Sequence, residues 1–276
     1  MIYYPHPILF SYGPFTLRYY GLFYAIGFIL VLIILRRLLS RYKVPGLDSK
    51  ALVEEQLLQL LAFGLIGGIL FARIFYVLFY DLHYFLVHPV EIFQFWKGGL
   101  SFHGGLFGAV LFSFLYCKKT KIDFLRIADI VVVPISLALS LGRVGNFMNG
   151  ELYGRVSSVP WAIGFATAPD KGLLLRHPSQ IYEALKNLAI FFILSFQFKH
   201  FYANKKDSPK GTLLFSFMIY YGIARFFVEF FRQPDPQLGF VFSVFSMGQI
   251  LSALLAIVGA ILLFLACRKR NNNALH

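Results

Sequence analysis

Three stretches of this chain hold polar residues at spacings that suggest chemistry. Gly142-Arg143-Val144-Gly145-Asn146-Phe147-Met148-Asn149-Gly150-Glu151 puts Arg143 and Asn146 at i and i+3, one above the other on a helix. Tyr221, Arg225 and Glu229 recur at i, i+4 and i+8, a polar stripe along an otherwise apolar helix. Gly98-Gly99-Leu100-Ser101-Phe102-His103-Gly104-Gly105 sets a single histidine between glycine pairs that let another group approach closely. Each stretch also has an ordinary structural reading. Arg225 and Glu229 could simply neutralise each other, and His103 could be a polar interface residue. The pairs Gly104/Gly108 and Gly64/Gly68 could serve helix packing alone. Two arginines without a matching excess of acid suit a phosphate, which guanidinium groups clasp in bidentate fashion.

The elements that must carry these residues are membrane helices. The 276 residues are 58% hydrophobic and 14% charged, with a mean hydropathy of +0.67. A soluble domain averages about 25% charged residues, so too little charge is present to coat a water-facing surface. The 33 Phe and 16 Tyr suit helices touching lipid tails and headgroups. Apolar runs near the ~20 residues needed to cross a bilayer recur along the whole length. Seven helical spans are expected, at Leu17–Leu35, Gln56–Tyr80, Leu100–Lys118, Phe124–Phe147, Ile181–Lys199, Gly211–Phe231 and Val244–Cys267. The sequence reads as an all-α, polytopic membrane protein, a single integral membrane domain over residues 1–276. No internal repeat, low-complexity region or soluble domain is visible. Residues 1–16 are mixed in character, with Pro5, His6, Pro7 and Pro14, so no signal peptide is expected.

Basic residues give the orientation. The net charge of +13 falls in short clusters beside apolar runs, so it reports topology and not nucleic-acid binding. Sixteen basic residues flank the ends assigned to the cytoplasm: Arg36, Arg37, Arg41, Lys43, Lys50, Lys118, Lys119, Lys121, Arg126, Lys199, Lys205, Lys206, Lys210, Arg268, Lys269 and Arg270. Six lie on the opposite side: Arg18, Lys97, Arg155, Lys171, Arg176 and Arg232. The positive-inside rule then places the N-terminus outside and the C-terminus in the cytoplasm. Residues 149–180 become the main periplasmic segment. Cys117 and Cys267 fall at cytoplasmic helix ends and imply no disulfide.

In this topology His103, Arg143, Arg225 and Tyr20 lie at one outer level of the membrane. The phosphate available at that depth belongs to a lipid headgroup. Arg73, Asp129, Glu183 and Lys186 also fall within spans, where an ionisable group costs at least ~2.5–3.5 kcal/mol to insert. The bland reading of these four is a structural ion pair or a snorkelling end. The residues alone suggest an enzyme or a transporter for phospholipid. A headgroup-binding scaffold is a weaker reading. A secondary transporter would also keep buried Arg and Glu, but no inverted repeat is present.

At this point the chain resembles the prolipoprotein diacylglyceryl transferase family of bacterial inner membranes. The similarity rests on Tyr19-Tyr20-Gly21-Leu22, on Gly98 to Gly105, and on the long stretch from Leu141 to Arg155 with its Gly-Arg-Val-Gly-Asn-Phe-Met-Asn-Gly-Glu core. His177-Pro178-Ser179-Gln180-Ile181-Tyr182-Glu183, then Tyr221-Gly222 through Arg225, Glu229 and Arg232-Gln233-Pro234-Asp235, and finally Ser246-Met247-Gly248-Gln249 follow in order. The resemblance implies that phosphatidylglycerol donates its diacylglyceryl group to the lipobox cysteine of a prolipoprotein, arriving as a signal peptide in the bilayer. A thioether forms and glycerol phosphate leaves. It implies catalytic roles for His103, Arg143, Arg225, Tyr221 and Glu229. Arg143, Asn146, Tyr20, Glu151 and Gly154 would bind substrate. No cofactor, metal or nucleic acid is implied. Whether His103 takes the thiol proton or the arginine field lowers the thiol pKa stays open at the level of sequence.

Overall fold

The computed structural model describes residues 2–12, 15–45, 47, 56–95, 98–203, 208–233, 240, 241 and 245–273. Among them run eight α-helices: α1 (Tyr19–Arg41), α2 (Leu57–Phe79), α3 (Leu82–Val87), α4 (Phe102–Thr120), α5 (Phe124–Met148), α6 (Ser179–Ala203), α7 (Thr212–Val228) and α8 (Met247–Asn273). Each expected span falls on one of these helices, and only the six-residue α3 was not anticipated. Helices α1, α2, α5, α6 and α8 are long and apolar enough to cross a membrane. Helix α7, at 17 residues, is apolar but shorter, and α4 has 19 residues. The chain is thus an all-α, polytopic membrane protein. Lys50, Lys97, Lys205, Lys206, Pro234, Asp235 and Val244, all used in the sequence reading, lie outside the described residues.

The helix ends differ from the apolar runs for a physical reason. Hydropathy marks where lipid contact stops, while a helix continues until a breaker intervenes. Helix α1 runs on through Arg36, Arg37 and Arg41, and α8 through Arg268 to Asn273, where no Gly or Pro interrupts. Helix α7 ends earlier than expected, at Val228, and Glu229 to Phe231 fold as turns.

By packing, the chain divides into two compact units, Leu39–Ile127 and Met1–Leu38 with Ala128–His276. In the first unit, α2 and α4 pack at backbone contact through glycines. A Cβ built on Gly67 would lie 2.5 Å from the Gly108 carbonyl oxygen, and one on Gly104 would collide with the Phe71 carbonyl oxygen. The small-residue faces at Gly64/Gly68 and Gly104/Gly108 are this seam. Buried Arg73 donates to the carbonyls of Glu91 (2.6 Å), Ile92 (2.9 Å), Gly98 (2.7 Å) and Gly99 (3.0 Å). It fastens the segment between α3 and α4 and acts structurally.

In the second unit, the Asp129 carboxylate is fully buried and accepts from the N–H groups of Gly211 (2.9 Å), Leu213 (2.8 Å) and Leu214 (3.0 Å). It satisfies the free donors that begin α7, so Asp129 is also structural. Helices α7 and α8 meet at Gly222, whose added Cβ would lie 2.5 Å from the Ser252 carbonyl oxygen. Short strands β1 (Ile2–Tyr3), β4 (Ile163–Phe165) and β5 (Leu175–Arg176) form a three-stranded sheet in the order β1-β4-β5. Strands β2 (Ile8–Tyr12) and β3 (Phe15–Arg18) pair antiparallel, as do β6 (Phe240–Val241) and β7 (Phe245–Ser246).

Candidate active site

The second unit gathers three cations on one carboxylate. Glu183 stands in the second turn of α6 with its side chain 2% exposed. Its Oε1 accepts from Arg225 Nη1 of α7 at 2.9 Å, and its Oε2 accepts from Lys186 Nζ at 2.9 Å. Arg143 Nε of α5 lies 3.7 Å from the same Oε2. Three helices therefore converge on a single acid. Lys186 Nζ also sits 3.8 Å from the centre of the Tyr221 ring, a cation–π contact that closes its far side.

Arg225 is shared. Its Nη1 also lies 2.7 Å from Glu229 Oε2, an ion pair without the direction of a hydrogen bond. The other Glu229 oxygen accepts from the Ser246 hydroxyl at 3.1 Å. Ser246 and Gln249 cap α8 reciprocally: the Gln249 backbone N–H donates to Ser246 Oγ (3.2 Å), and the Ser246 backbone N–H to Gln249 Oε1 (3.0 Å). An added Cβ on Gly248 would lie 2.7 Å from Glu229 Oε1, so only glycine leaves the carboxylate its place at this helix N-terminus. The Arg225–Glu229 pair does not simply cancel itself, because Glu183 competes for the same guanidinium nitrogen.

Arg143 leads in the other direction to a hydrogen-bonded row. Its Nη1 donates to Asn146 Oδ1 across a long 3.4 Å, and Asn146 Nδ2 donates to Glu151 Oε1 at 2.7 Å. Asn149 Nδ2 reaches the same Glu151 oxygen at 3.3 Å. The chain turns sharply here, with Gly150 at φ +66° and Leu152 at +57°, and the Glu151 N–H bonds to the Asn146 carbonyl (3.1 Å). Tyr20, at the start of α1, packs beside Gly145, where an added Cβ would lie 3.2 Å from its ring, and shares a 2.8 Å hydrogen bond with Tyr24.

The segment after the turn is tied to the end of α7. The Gly154 N–H bonds to the His177 carbonyl (2.8 Å), and the Arg155 N–H to the Phe231 carbonyl (2.9 Å). A Cβ on Gly154 would collide with the Phe231 carbonyl oxygen, so this glycine acts through close backbone approach. Arg176 donates to Asp170 Oδ1 (2.7 Å) and to Gln233 Oε1 (2.6 Å). The Leu174 N–H, and after it Arg176, hold the Asp170 carboxyl below its usual range. Burial pushes the pKa of the His177 imidazole below its ordinary value; its Nδ1 lies 3.0 Å from the Tyr182 hydroxyl, and that hydroxyl accepts from Trp161 Nε1 at 2.6 Å.

Arg143, Asn146, Tyr20, Glu151, Gly154, Tyr221, Arg225 and Glu229 all fall in this unit. Within it, Arg143, Arg225 and Glu229 join one charge cluster, Asn146 and Glu151 extend it, and the Tyr221 ring lies under Lys186. His103 belongs to the other unit. There it occupies the first turn of α4, exposed, with its ring edge-on to Phe102, behind the cap formed by the Gly104 N–H on Ser101 Oγ (3.4 Å). Sequence reasoning missed Glu183 and Lys186, which it took for structural groups near a helix end. The available signal was an acid three residues from a lysine in a chain whose in-span arginines lacked enough acid.

Similarity to known proteins bears on this arrangement. The sequence profile of the prolipoprotein diacylglyceryl transferase family matches residues 7–265. A phosphatidylglycerol–prolipoprotein diacylglyceryl transferase from Geobacter sulfurreducens is 41% identical over 269 residues, covering 97% of this chain and 98% of its own. Proteins of the same name from Aeromonas hydrophila and Mannheimia succiniciproducens are 42% and 44% identical, covering 95% and 96% of this chain and 91% and 94% of their own.

Proposed function

The chain belongs to the prolipoprotein diacylglyceryl transferase family, and from that premise we propose that it transfers the diacylglyceryl group of phosphatidylglycerol to a prolipoprotein, the first step of lipoprotein maturation. The acceptor is the thiol of a lipobox cysteine, presented by a signal peptide lying in the bilayer. The thiolate sulfur attacks the glycerol carbon that carries the phosphate, and a C–S bond forms as the C–O bond breaks. The electron pair leaves on the phosphate oxygen, and glycerol phosphate is released.

The observation that carries this reading is the convergence of Arg143 and Arg225, from two different helices, on the buried Glu183. A carboxylate between two guanidinium groups fixes both in place without saturating either. Arg143 keeps a side chain 24% exposed, and Arg225 one 13% exposed. Preorganised cations aimed at the oxygen where charge develops lower the barrier most. Tyr221 and Asn146 lie beside them as hydrogen-bond donors. Glu229 orients Arg225, Glu151 orients Asn146, and Tyr20 and Gly154 shape the surroundings. The thiol proton passes to His103, or the positive field of the arginines lowers the thiol pKa enough to release it. The site faces the periplasm, with residues 149–180 outside and the protein in the bacterial inner membrane, because the clusters Arg36/Arg37/Arg41 and Arg268/Lys269/Arg270 follow the positive-inside rule.

Purified protein, phosphatidylglycerol dispersions and a lipobox peptide test the reaction. The peptide gains a diacylglyceryl mass, glycerol phosphate appears in equal amount, and a peptide with serine for its cysteine gains nothing. Movement of phosphatidylglycerol across vesicles without peptide modification would support a transporter instead.

A further inference from the structure

Lys186 is a buried cation to which the reaction above gives no part. Its side chain is 4% exposed, and its ammonium is enclosed by Glu183 Oε2 at 2.9 Å and the Tyr221 ring at 3.8 Å. It is therefore badly placed to touch a lipid. Its effect must act through Glu183.

The geometry of that carboxylate says how. Glu183 has two oxygens and three cationic neighbours. Arg225 takes Oε1 and Lys186 takes Oε2, both at 2.9 Å. Arg143 stops 3.7 Å from Oε2, beyond hydrogen-bonding distance, and it bonds instead to Asn146 at 3.4 Å and to the Tyr221 hydroxyl. Arg143 is thus held near an acid that is already occupied. A guanidinium in low dielectric closes on a free carboxylate oxygen, commonly in bidentate fashion. Lys186 prevents that closure. It also sets the charge of the cluster: Arg143, Lys186 and Arg225 against Glu183 and Glu229 leave +1, and removing Lys186 leaves zero.

We propose that Lys186 is a positioning residue that occupies Glu183 so that Arg143 stays free to bind the phosphate of the lipid donor. The proposal rests on the transferase reading and assigns a role to a residue which that reading does not require. Replacing the lysine by an apolar group of similar length lets Arg143 collapse onto Glu183, and the enzyme loses a phosphate contact. Removing the acid's charge as well abolishes the collapse. The Glu183→Gln side chain keeps a carbonyl oxygen for Arg225 and no longer draws Arg143.

The test is a double-mutant cycle on full-length protein, with phosphatidylglycerol in mixed micelles and a lipobox peptide. In Lys186→Met the KM for phosphatidylglycerol rises about tenfold, while in Glu183→Gln/Lys186→Met it rises clearly less than in the single variant, because no charged acid is left for Arg143 to close on. The KM for the peptide stays unchanged in both. A merely structural lysine lowers yield and thermal stability, most of all in the double variant, and leaves the KM for phosphatidylglycerol alone. An unchanged KM in Lys186→Met, or a double variant no better than the single, overturns the proposal. If Lys186→Met does not accumulate, Lys186→Leu takes its place in the cycle and is read by the same criterion. If neither accumulates, Lys186 is a folding element and the proposal falls. A wild-type protein that transfers nothing counts against the transferase reading itself. An active wild type with an indifferent Lys186 counts against this inference alone.

Discussion

Arg225 of α7 and Glu183 of α6 meet across 2.9 Å. The same guanidinium nitrogen lies 2.7 Å from Glu229 at the end of α7. One arginine thus fixes the spacing of two helices while its remaining nitrogens stay available to a ligand. Lysine can copy the charge of this group but not its planar fork. Arg225→Lys and Arg143→Lys should each insert and fold, yet lose about a hundred- to a thousandfold in turnover. Steady-state kinetics on purified variants checks this. Near-normal turnover in either variant makes that arginine a structural residue.

His103 is exposed in the first turn of α4, with its ring edge-on to Phe102. If it accepts the thiol proton, His103→Gln slows transfer by roughly a hundred- to ten-thousandfold. Raising the pH restores part of the rate, because more of the peptide thiol then ionises without help. A pH–rate profile of the variant separates the two routes for the proton. A rate unaltered at every pH assigns thiol activation to the arginine field.

Asp129 has a different task. Its carboxylate spends itself on three backbone N–H groups at the start of α7, with no surface exposed. Asp129→Asn removes the charge and one acceptor, leaving a buried donor unsatisfied at a cost of about 1–3 kcal/mol. Thermal unfolding in detergent should show the loss, while turnover per folded molecule stays near wild type. A stable but inactive variant would move Asp129 into the site.

The helices were legible in the sequence because lipid contact writes them as apolar runs, and each of the seven runs became a helix. Arg143/Asn146 and Arg225/Glu229 were legible for a related reason: within an apolar helix, polar residues three or four apart stand out. Glu183 was not. Its importance comes from Arg143 and Arg225, which lie 40 and 42 positions away in the chain and meet it only after α5, α6 and α7 pack. Gly154 carries no such signal either, since its constraint is the Phe231 carbonyl pressed against it. Ser246 and Gln249 could have been read as a capping box, because the Ser-x-x-Gln spacing before an apolar run is visible in the chain.

Orientation can be measured directly. In a background lacking Cys117 and Cys267, Ser158→Cys lies in the segment between α5 and α6, and Asn271→Cys lies in the basic end of α8. Both positions are exposed. An impermeant maleimide added to intact spheroplasts should label Ser158→Cys and spare Asn271→Cys. The reverse pattern would put the arginine cluster toward the cytoplasm.

In the proposed reaction the reacting thiol belongs to the substrate. Cys117 is buried in α4, fourteen residues and about 21 Å of helix beyond His103. Cys267 lies near the end of α8 beside Arg268, at the opposite end of that helix from Ser246 and its partner Glu229. A route through an enzyme thiol would need one of them beside the lipid phosphate. Intact-mass analysis of the Cys117→Ala/Cys267→Ala variant, incubated with phosphatidylglycerol and a lipobox peptide, decides the matter. A diacylglyceryl adduct should appear on the peptide at the wild-type rate, with none on the protein. A folded variant that leaves the peptide unmodified, or a lipid adduct on either cysteine of the wild-type chain, would contradict transfer by direct displacement.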